Sequence, residues 1–180
     1  MPKIKNLEWR VLMEVDISCF FSHYSVCSLT SDDLEEIYAL CSKNGLYYRY
    51  FPPYVTDQSI IDDMNALPPG KEMDDKYYLG YFDRDKLVAV MDFIASFPYE
   101  KVAFIGFFMT EVSIQNKGVG SSIIDELCVY LRSVGFSRVR LGWVKGNPQA
   151  EYFWHKNGFD ETGITRNTNS YTVVVGERIL

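Results

Sequence analysis

Histidine is scarce in this chain, and cysteine is sparse and scattered. The only histidines are His23 and His155, and neither sits in a cluster with metal-ligand spacing, so no metal centre is expected. Cys19, Cys27, Cys41 and Cys128 form no CxxC pair. They read as reduced thiols with no sign of an activated nucleophile. No apolar run approaches the ~20 residues that would cross a membrane. ISCFF, residues 17–21, is too short for a leader and follows acidic residues. Positive charge is also short: 18 Lys and Arg stand against 24 Asp and Glu, a formal charge of −6. That balance argues against a nucleic-acid partner and is electrostatically comfortable for a cationic amine. Repeats, linkers and low-complexity tracts are missing too. These absences predict a cytoplasmic protein with neither membrane nor nucleic acid as its partner.

What is present is enough for one packed domain. The 180 residues are 47% apolar and 16% aromatic. Residues 1–23 are treated as an N-terminal extension, in which LEWRVLMEV fits either a helix or a strand. Residues 24–180 carry the domain. YSVCSL, 24–29, alternates like a strand. TSDDLEEIYALCSKNG reads as a helix capped by Thr30 with Asp33, and Asn44 and Gly45 offer a stop. LYYRYFPPYV, 46–55, reads as an aromatic loop. A helix from about Asp57 to Ala66 follows, with Thr56 as its cap. YYLGYF and LVAVMDFIAS form a hairpin, and VAFIGFFMTEV, 102–112, a long strand.

Val119, Ile123, Leu127, Leu131 and Val134 recur at helical steps over about 118–134. SRVRLGWV, 137–144, alternates as a strand. Asn147 and Pro148 open another helix that Gly158 closes. A last strand is TNSYTVVVGERI. The order β-α-α-β-β-β-α-β-α-β-β predicts one α/β (α+β) domain: a mixed sheet of six to seven strands with helices on both faces.

QNKGVG, 115–120, joins the long strand to the 118–134 helix. The first N–H groups of a helix lack internal partners, and the helix dipole adds positive character there. Gly118 and Gly120 clear side chains from that end and Lys117 adds charge, so an anion fits. A dinucleotide fingerprint is excluded, because position 123 is Ile rather than Gly, and no P-loop sequence is present. The hexamer by itself fits a phosphate cradle and a tightly packed strand-to-helix turn equally well.

A second segment adds context. Gln115-x-x-Gly118-x-Gly120 resembles the Q/R-x-x-G-x-G/A signature of the GNAT N-acyltransferase superfamily. Asn147-x-x-Ala150-x-x-Phe153, followed by Gly158-Phe159, resembles that family's second segment, N-x-x-A-x-x-F-Y-x-x-x-G-F. The pair, at this spacing and in this element order, is far more specific than the hexamer. The resemblance spans residues 24–180. It implies a GNAT-like fold and acetyl-CoA as co-substrate, with an amine on a small molecule or peptide as acceptor. Because members of the family often dimerise, it also implies a homodimer.

The resemblance further implies that backbone groups from Gln115, Asn116, Lys117, Gly118, Val119 and Gly120 bind the pyrophosphate, with Ser121 adding a hydroxyl. The pantetheine arm would pair along Phe108, Met109 and Thr110, where the strand splays from its neighbour, and contact Asn147. A backbone N–H there would polarise the thioester carbonyl.

The family often supplies a proton to the leaving thiolate from a tyrosine after the Phe of the second segment. Here that residue is Trp154, a hydrogen-bond donor but no useful acid. Tyr152 and His155 point elsewhere on an ideal helix and read as surface or structural residues. Asp92 interrupts an apolar strand near the sheet centre and is the candidate base, or else a buried capping or ion-paired carboxylate. Glu111 reads as a solvated charge. Tyr48, Tyr50 and Tyr54, with Tyr47, are candidate walls of an acceptor pocket, or an aromatic cover over the helices. The expected activity is direct acetyl transfer to an amine. The alternatives are a catalytically degenerate CoA-binding sensor or partner module, and a nucleotide-binding α/β domain.

Overall fold

The computed structural model describes residues 15–20 and 22–180. The LEWRVLMEV segment lies almost wholly outside them. Seven strands form one sheet in the order β1-β2-β3-β4-β5-β7-β6. They are β1 Ser25–Ser28, β2 Lys76–Asp83, β3 Lys86–Ile94, β4 Val102–Thr110, β5 Arg138–Val144, β6 Asp160–Asn167 and β7 Thr172–Ile179. Among the described residues, only β4 and β5 run parallel; every other neighbour pair is antiparallel. The helices are α1 Leu34–Cys41, α2 Gly45–Tyr50, α3 Asp57–Asn65, α4 Val119–Ser133 and α5 Pro148–Lys156.

The helices cover both faces of the sheet, and each face has its own core. Under α4 and α5, Ile123, Ile124, Leu127 and Leu131 meet Met91, Phe93, Ile105 and Leu141. Each such side chain contributes ~1.5–3 kcal/mol by leaving water. Under α1 and α3, Ile37, Leu40 and Ile60 meet Tyr78, Val90 and Met109. Residues 15–20 join the first core: Phe20 packs 5.2 Å from the Tyr130 ring, and the Tyr130 hydroxyl donates to the Asp16 carbonyl.

Local chemistry sets the helix starts. Thr30 and Asp33 form a capping box, but it opens a 3-10 turn, Ser31–Asp33, ahead of α1. Thr56 and Ser59 cap α3 reciprocally. The Asn147 Oδ1 accepts from the Ala150 N–H at 3.2 Å, and Pro148 begins α5.

Two sequence expectations change. Residues 45–50 are helical rather than loop: Tyr47 packs on Phe107 and Phe51, so tertiary contacts hold a short helix that spacing alone does not reveal. Strand β4 stops at Thr110, and Glu111 then caps the turn Val112–Ile114, its carboxylate accepting from the Ser113 N–H at 2.8 Å. Glu111 is therefore not a solvated charge. It is buried, with Lys43 at 4.0 Å and Lys86 at 3.9 Å.

Candidate active site

The site begins where the sheet comes apart. Parallel pairing of β4 with β5 starts at Val102 and Arg138 and ends at Ile105 and Leu141, although both strands run on. The break coincides with a bulge. Asp92 pairs with Phe107 and Phe93 with Ile105, so Gly106 is the extra residue in β4. Gly106 is exposed although it lies within the sheet. The fork opens there.

A cavity of about 460 Å³ occupies the fork. Phe108, Met109 and Thr110 form one wall, and Gln115, Asn116, Gly118, Gly120 and Ser121 form its end. Asn147 and the Gln149, Tyr152, Phe153, Trp154 and Lys156 side of α5 close the other wall. Asn44 and Tyr47 reach it from the α1–α2 side. Lys117 and Val119 do not line it: Lys117 is exposed, and Val119 packs against the core.

The two glycines of the turn serve different ends. Gly118 is the N-cap of α4 at φ +85°, a left-handed conformation that side chains resist, and a Cβ there would meet nothing. It turns the chain so that the first N–H groups of α4 face the cavity. Gly120 has ordinary backbone, but a Cβ there would lie 3.1 Å from the Phe153 ring and 3.6 Å from Phe108. It lets α4 close on the two rings, which pack at 6.0 Å.

Gln115 holds the turn with its side chain. Its Nε2 donates to the Asn44 Oδ1 at 2.7 Å and to the Thr110 carbonyl at 3.1 Å, and the Asn44 Nδ2 donates to the same carbonyl at 3.2 Å. Asn44, which reads in sequence as a helix stop, is thus a buried strut between α1 and the turn. Its partner is distant in sequence, so no local signal points to it.

Trp154 lines the cavity, only 8% exposed, and packs on Phe108, Phe153 and Phe159. Tyr152, 71% exposed, also borders the cavity, which wraps farther round α5 than ideal helical angles suggest. His155 packs on Trp143 instead. It does have neighbours: Glu151, His155 and Glu161 place ligand atoms within 4.8 Å of one another on the outer side of α5 and β6. Tyr48, Tyr50 and Tyr54 do not line the cavity. Tyr48 packs on Tyr54 at 4.9 Å, and the Tyr54 hydroxyl donates to the Ser42 carbonyl. Of the four tyrosines, Tyr47 is the one at the wall.

Asp92 lies beyond the cavity wall, on the α1–α3 side of the fork. It is buried, and burial pushes its carboxyl up to about 6 even against the pull of Lys76. The Lys76 Nζ donates to the Asp92 Oδ2 at 2.9 Å and to the Ala66 carbonyl at 3.1 Å. None of the four cysteines lines the cavity. Burial pushes the Cys41 and Cys128 thiols up to about 11, which makes them poor nucleophiles.

Residues 32–159 match the acetyltransferase (GNAT) family. The chain belongs to this family. Solved GNAT structures share its fold. An acetyltransferase from Thermus thermophilus superposes with a TM-score of 0.70 at 16% identity, over 87% of this chain and 96% of that one. The PaiA N-acetyltransferase of Thermoplasma acidophilum, solved with coenzyme A, gives 0.63 at 16% identity, over 88% and 100%. Ard1 from Thermoplasma volcanium gives 0.63 at 21%, over 88% and 99%. No curated protein matches the sequence. Among the described residues, no helix of this GNAT domain is long and apolar enough to cross a membrane.

Proposed function

We propose that this GNAT protein is an N-acetyltransferase that moves an acetyl group from acetyl-CoA to an amine by direct attack. The observation that carries this reading is the fork: past the last β4–β5 pair, a cavity of about 460 Å³ lies between β4 and α5 and ends at the left-handed Gly118 turn. The residues fit the co-substrate. The first N–H groups of α4 and the Ser121 hydroxyl would hold its pyrophosphate, and the β4 edge that β5 leaves unpaired, along Phe108 to Thr110, would hold the pantetheine arm. Acetyl-CoA supplies an acetyl group already activated as a thioester. A β4 N–H at the fork would stabilise the oxyanion.

Direct attack is favoured over a covalent enzyme intermediate because no cysteine reaches the cavity and the buried thiols resist ionisation. The amine would enter from the α2 side, past Tyr47 and Phe107. The net charge of −6 favours a cationic amine over nucleic acid. Asp92 is the group on that side suited to take the proton from nitrogen.

The test is release of free CoA from acetyl-CoA across an amine panel, beside CoA affinity measured by calorimetry. Amine-dependent release with micromolar CoA binding supports the reading. One observation favours a second reading, a CoA-binding module without turnover: Trp154 stands where the family often has tyrosine. Tight CoA binding with no amine-dependent release selects it. Thermal stabilisation by NAD or ATP but not by CoA would remove both readings.

A further inference from the structure

Asp92 Oδ1 is buried without a hydrogen-bond partner among the described residues. An orphaned buried carboxylate oxygen is costly, and a fold that keeps one usually has a use for it. The other oxygen is fully engaged. Oδ2 accepts from Lys76, whose side chain is 2% exposed and whose ammonium also grips the Ala66 carbonyl at the end of α3. Lys76 therefore fixes the carboxylate from below and ties it to α3.

The fork fixes it from the other side. A Cβ built at Gly106 would fall 2.7 Å from the Asp92 Oδ2, a distance no real contact tolerates. Gly106 does not have a positive φ, so its backbone would accept alanine; the carboxylate alone forbids a side chain. Asp92 thus lies against the bare backbone of the one β4 residue that opens the fork. Phe107, beside Gly106, carries Tyr47 on its ring at 5.9 Å, and Tyr47 lines the cavity. Asp92 itself lines no part of the cavity; its carboxylate lies behind the exposed Gly106.

We propose that Lys76 and Gly106 are positioning residues that hold the Asp92 carboxylate, through Oδ2, against the exposed Gly106 of the fork, where it receives the proton of the acceptor amine. This rests on the acetyltransfer reading. The nitrogen forms its bond to the acetyl carbon as the carbon–sulfur bond breaks. The nitrogen's proton passes to Asp92, and the thiolate leaves to be protonated from solvent. The charged and titratable neighbours are Lys76 and Tyr78 on β2 and Asp63 on α3; Asp63 raises the Asp92 carboxyl and Lys76 lowers it. Gly106 and Phe107, the β4 residues against it, bring none.

The experiment compares wild type with Gly106→Ala, Lys76→Met, Asp92→Asn, Asp92→Ala and the double variant Asp92→Ala/Gly106→Ala. Each is assayed for CoA affinity and for kcat/KM towards amine against pH, and Asp92 is titrated by carboxyl carbon-13 NMR. The wild-type rate should fall on the acid side with a midpoint near 6. Gly106→Ala and Asp92→Asn should lose at least tenfold in rate with CoA affinity within twofold. The double variant should be no worse than Asp92→Ala, because the added methyl then fills freed space. Lys76→Met should move the acid limb, and the Asp92 titration, upward by a unit or more.

Unchanged rates and titration in Gly106→Ala and Lys76→Met overturn the proposal while leaving acetyl transfer intact. A wild type that binds CoA but turns over no amine ends the acetyltransfer reading, and the proton-acceptor role with it. If Lys76→Met fails to fold, the Gly106→Ala rate and its Asp92 titration decide alone.

Discussion

The two halves of the proposed site are built on different principles. The half proposed for the cofactor uses backbone: a left-handed Gly118, the start of α4 and the β4 edge that β5 leaves unpaired, all within residues 108–121, closed by α5. The half proposed for the acceptor uses side chains gathered from across the chain. Tyr47 and Phe51 come from α2 and its end, Phe107 from β4, Tyr171 from the β6–β7 turn, and Lys76 and Asp92 from β2 and β3. A backbone site tolerates sequence change except where a side chain would intrude. A side-chain site can be respecified one residue at a time. On the proposed reading, the first would serve the co-substrate and the second the choice of amine.

The largest effect should come from intruding on the backbone half. Gly120→Leu puts a branched side chain where even a Cβ lies 3.1 Å from Phe153. The ring must yield into the cavity. CoA affinity should fall at least ~100-fold, about 2.7 kcal/mol, while the thermal midpoint moves by only a few degrees. Calorimetry with CoA and a melting curve measure both. A folded variant with wild-type affinity would erase the contrast between the halves.

Next is the pH dependence that Asp92 imposes. Its carboxyl is raised from the ordinary 3.8 to about 6 by burial. Above pH ~4 the unfolded chain releases this proton while the folded protein keeps it, so this group's contribution to stability is full at low pH. It declines as pH rises to about 6 and is flat beyond. The decline is on the order of 3 kcal/mol. Asp92→Asn should remove it from the difference between the two denaturation profiles between pH 4 and 7. A difference profile that is flat, or that rises with pH, would show the carboxylate to be better solvated than its burial implies.

These contrasts also explain what could be read from sequence. This end of the cavity was legible because it is local: Gln115, Gly118, Gly120 and Asn147, which all line it, lie in two short segments whose spacing follows from a strand-turn-helix and a capped helix. Six of the seven strands were legible for the same reason, since alternation marks each of them; β6, Asp160–Asn167, is exposed along nearly its whole length and carries no such pattern. Even here the sequence mistook one cause. Gly120 packs against Phe153 through a contact 33 residues away, which no turn chemistry foretells. The acceptor half was mostly illegible. Tyr48, Tyr50 and Tyr54 looked equivalent to Tyr47 in an aromatic run; the helical turn of α2 brings Tyr47 rather than Tyr48 or Tyr50 to the cavity, and Tyr54 lies beyond that helix. Asp92 was conspicuous as a polar residue in an apolar strand, whereas its partner Lys76 sits at a strand start like any surface lysine.

The link between the halves is the Asn44–Gln115 strut, and its loss should cost less. Asn44→Ala removes the 2.7 Å contact to Gln115 and one of two donors to the Thr110 carbonyl. The turn keeps its backbone but loses its tie to α1. CoA affinity should drop ~5- to 10-fold, about 1–1.4 kcal/mol. The amine KM should rise alongside, because α2 follows directly from Asn44. A change in only one of the two would mean that the halves are independent.

The smallest effect should be confined to the acceptor half. Phe51, at the end of α2, packs 5.0 Å from Tyr171 in the β6–β7 turn, which joins two remote segments above the α2 side of the fork. Aromatic pairs of this kind contribute ~0.5–1.5 kcal/mol beyond their burial. Phe51→Ala or Tyr171→Ala should therefore raise the amine KM by about three- to tenfold, and the double variant should be barely worse than either single one, since both remove the same contact. CoA affinity should not move, because neither ring lines the cofactor cavity. If CoA affinity fell with the amine KM, the ring pair would be bracing the whole fork, and the boundary between the two halves would lie farther toward α2 than the cavity lining places it.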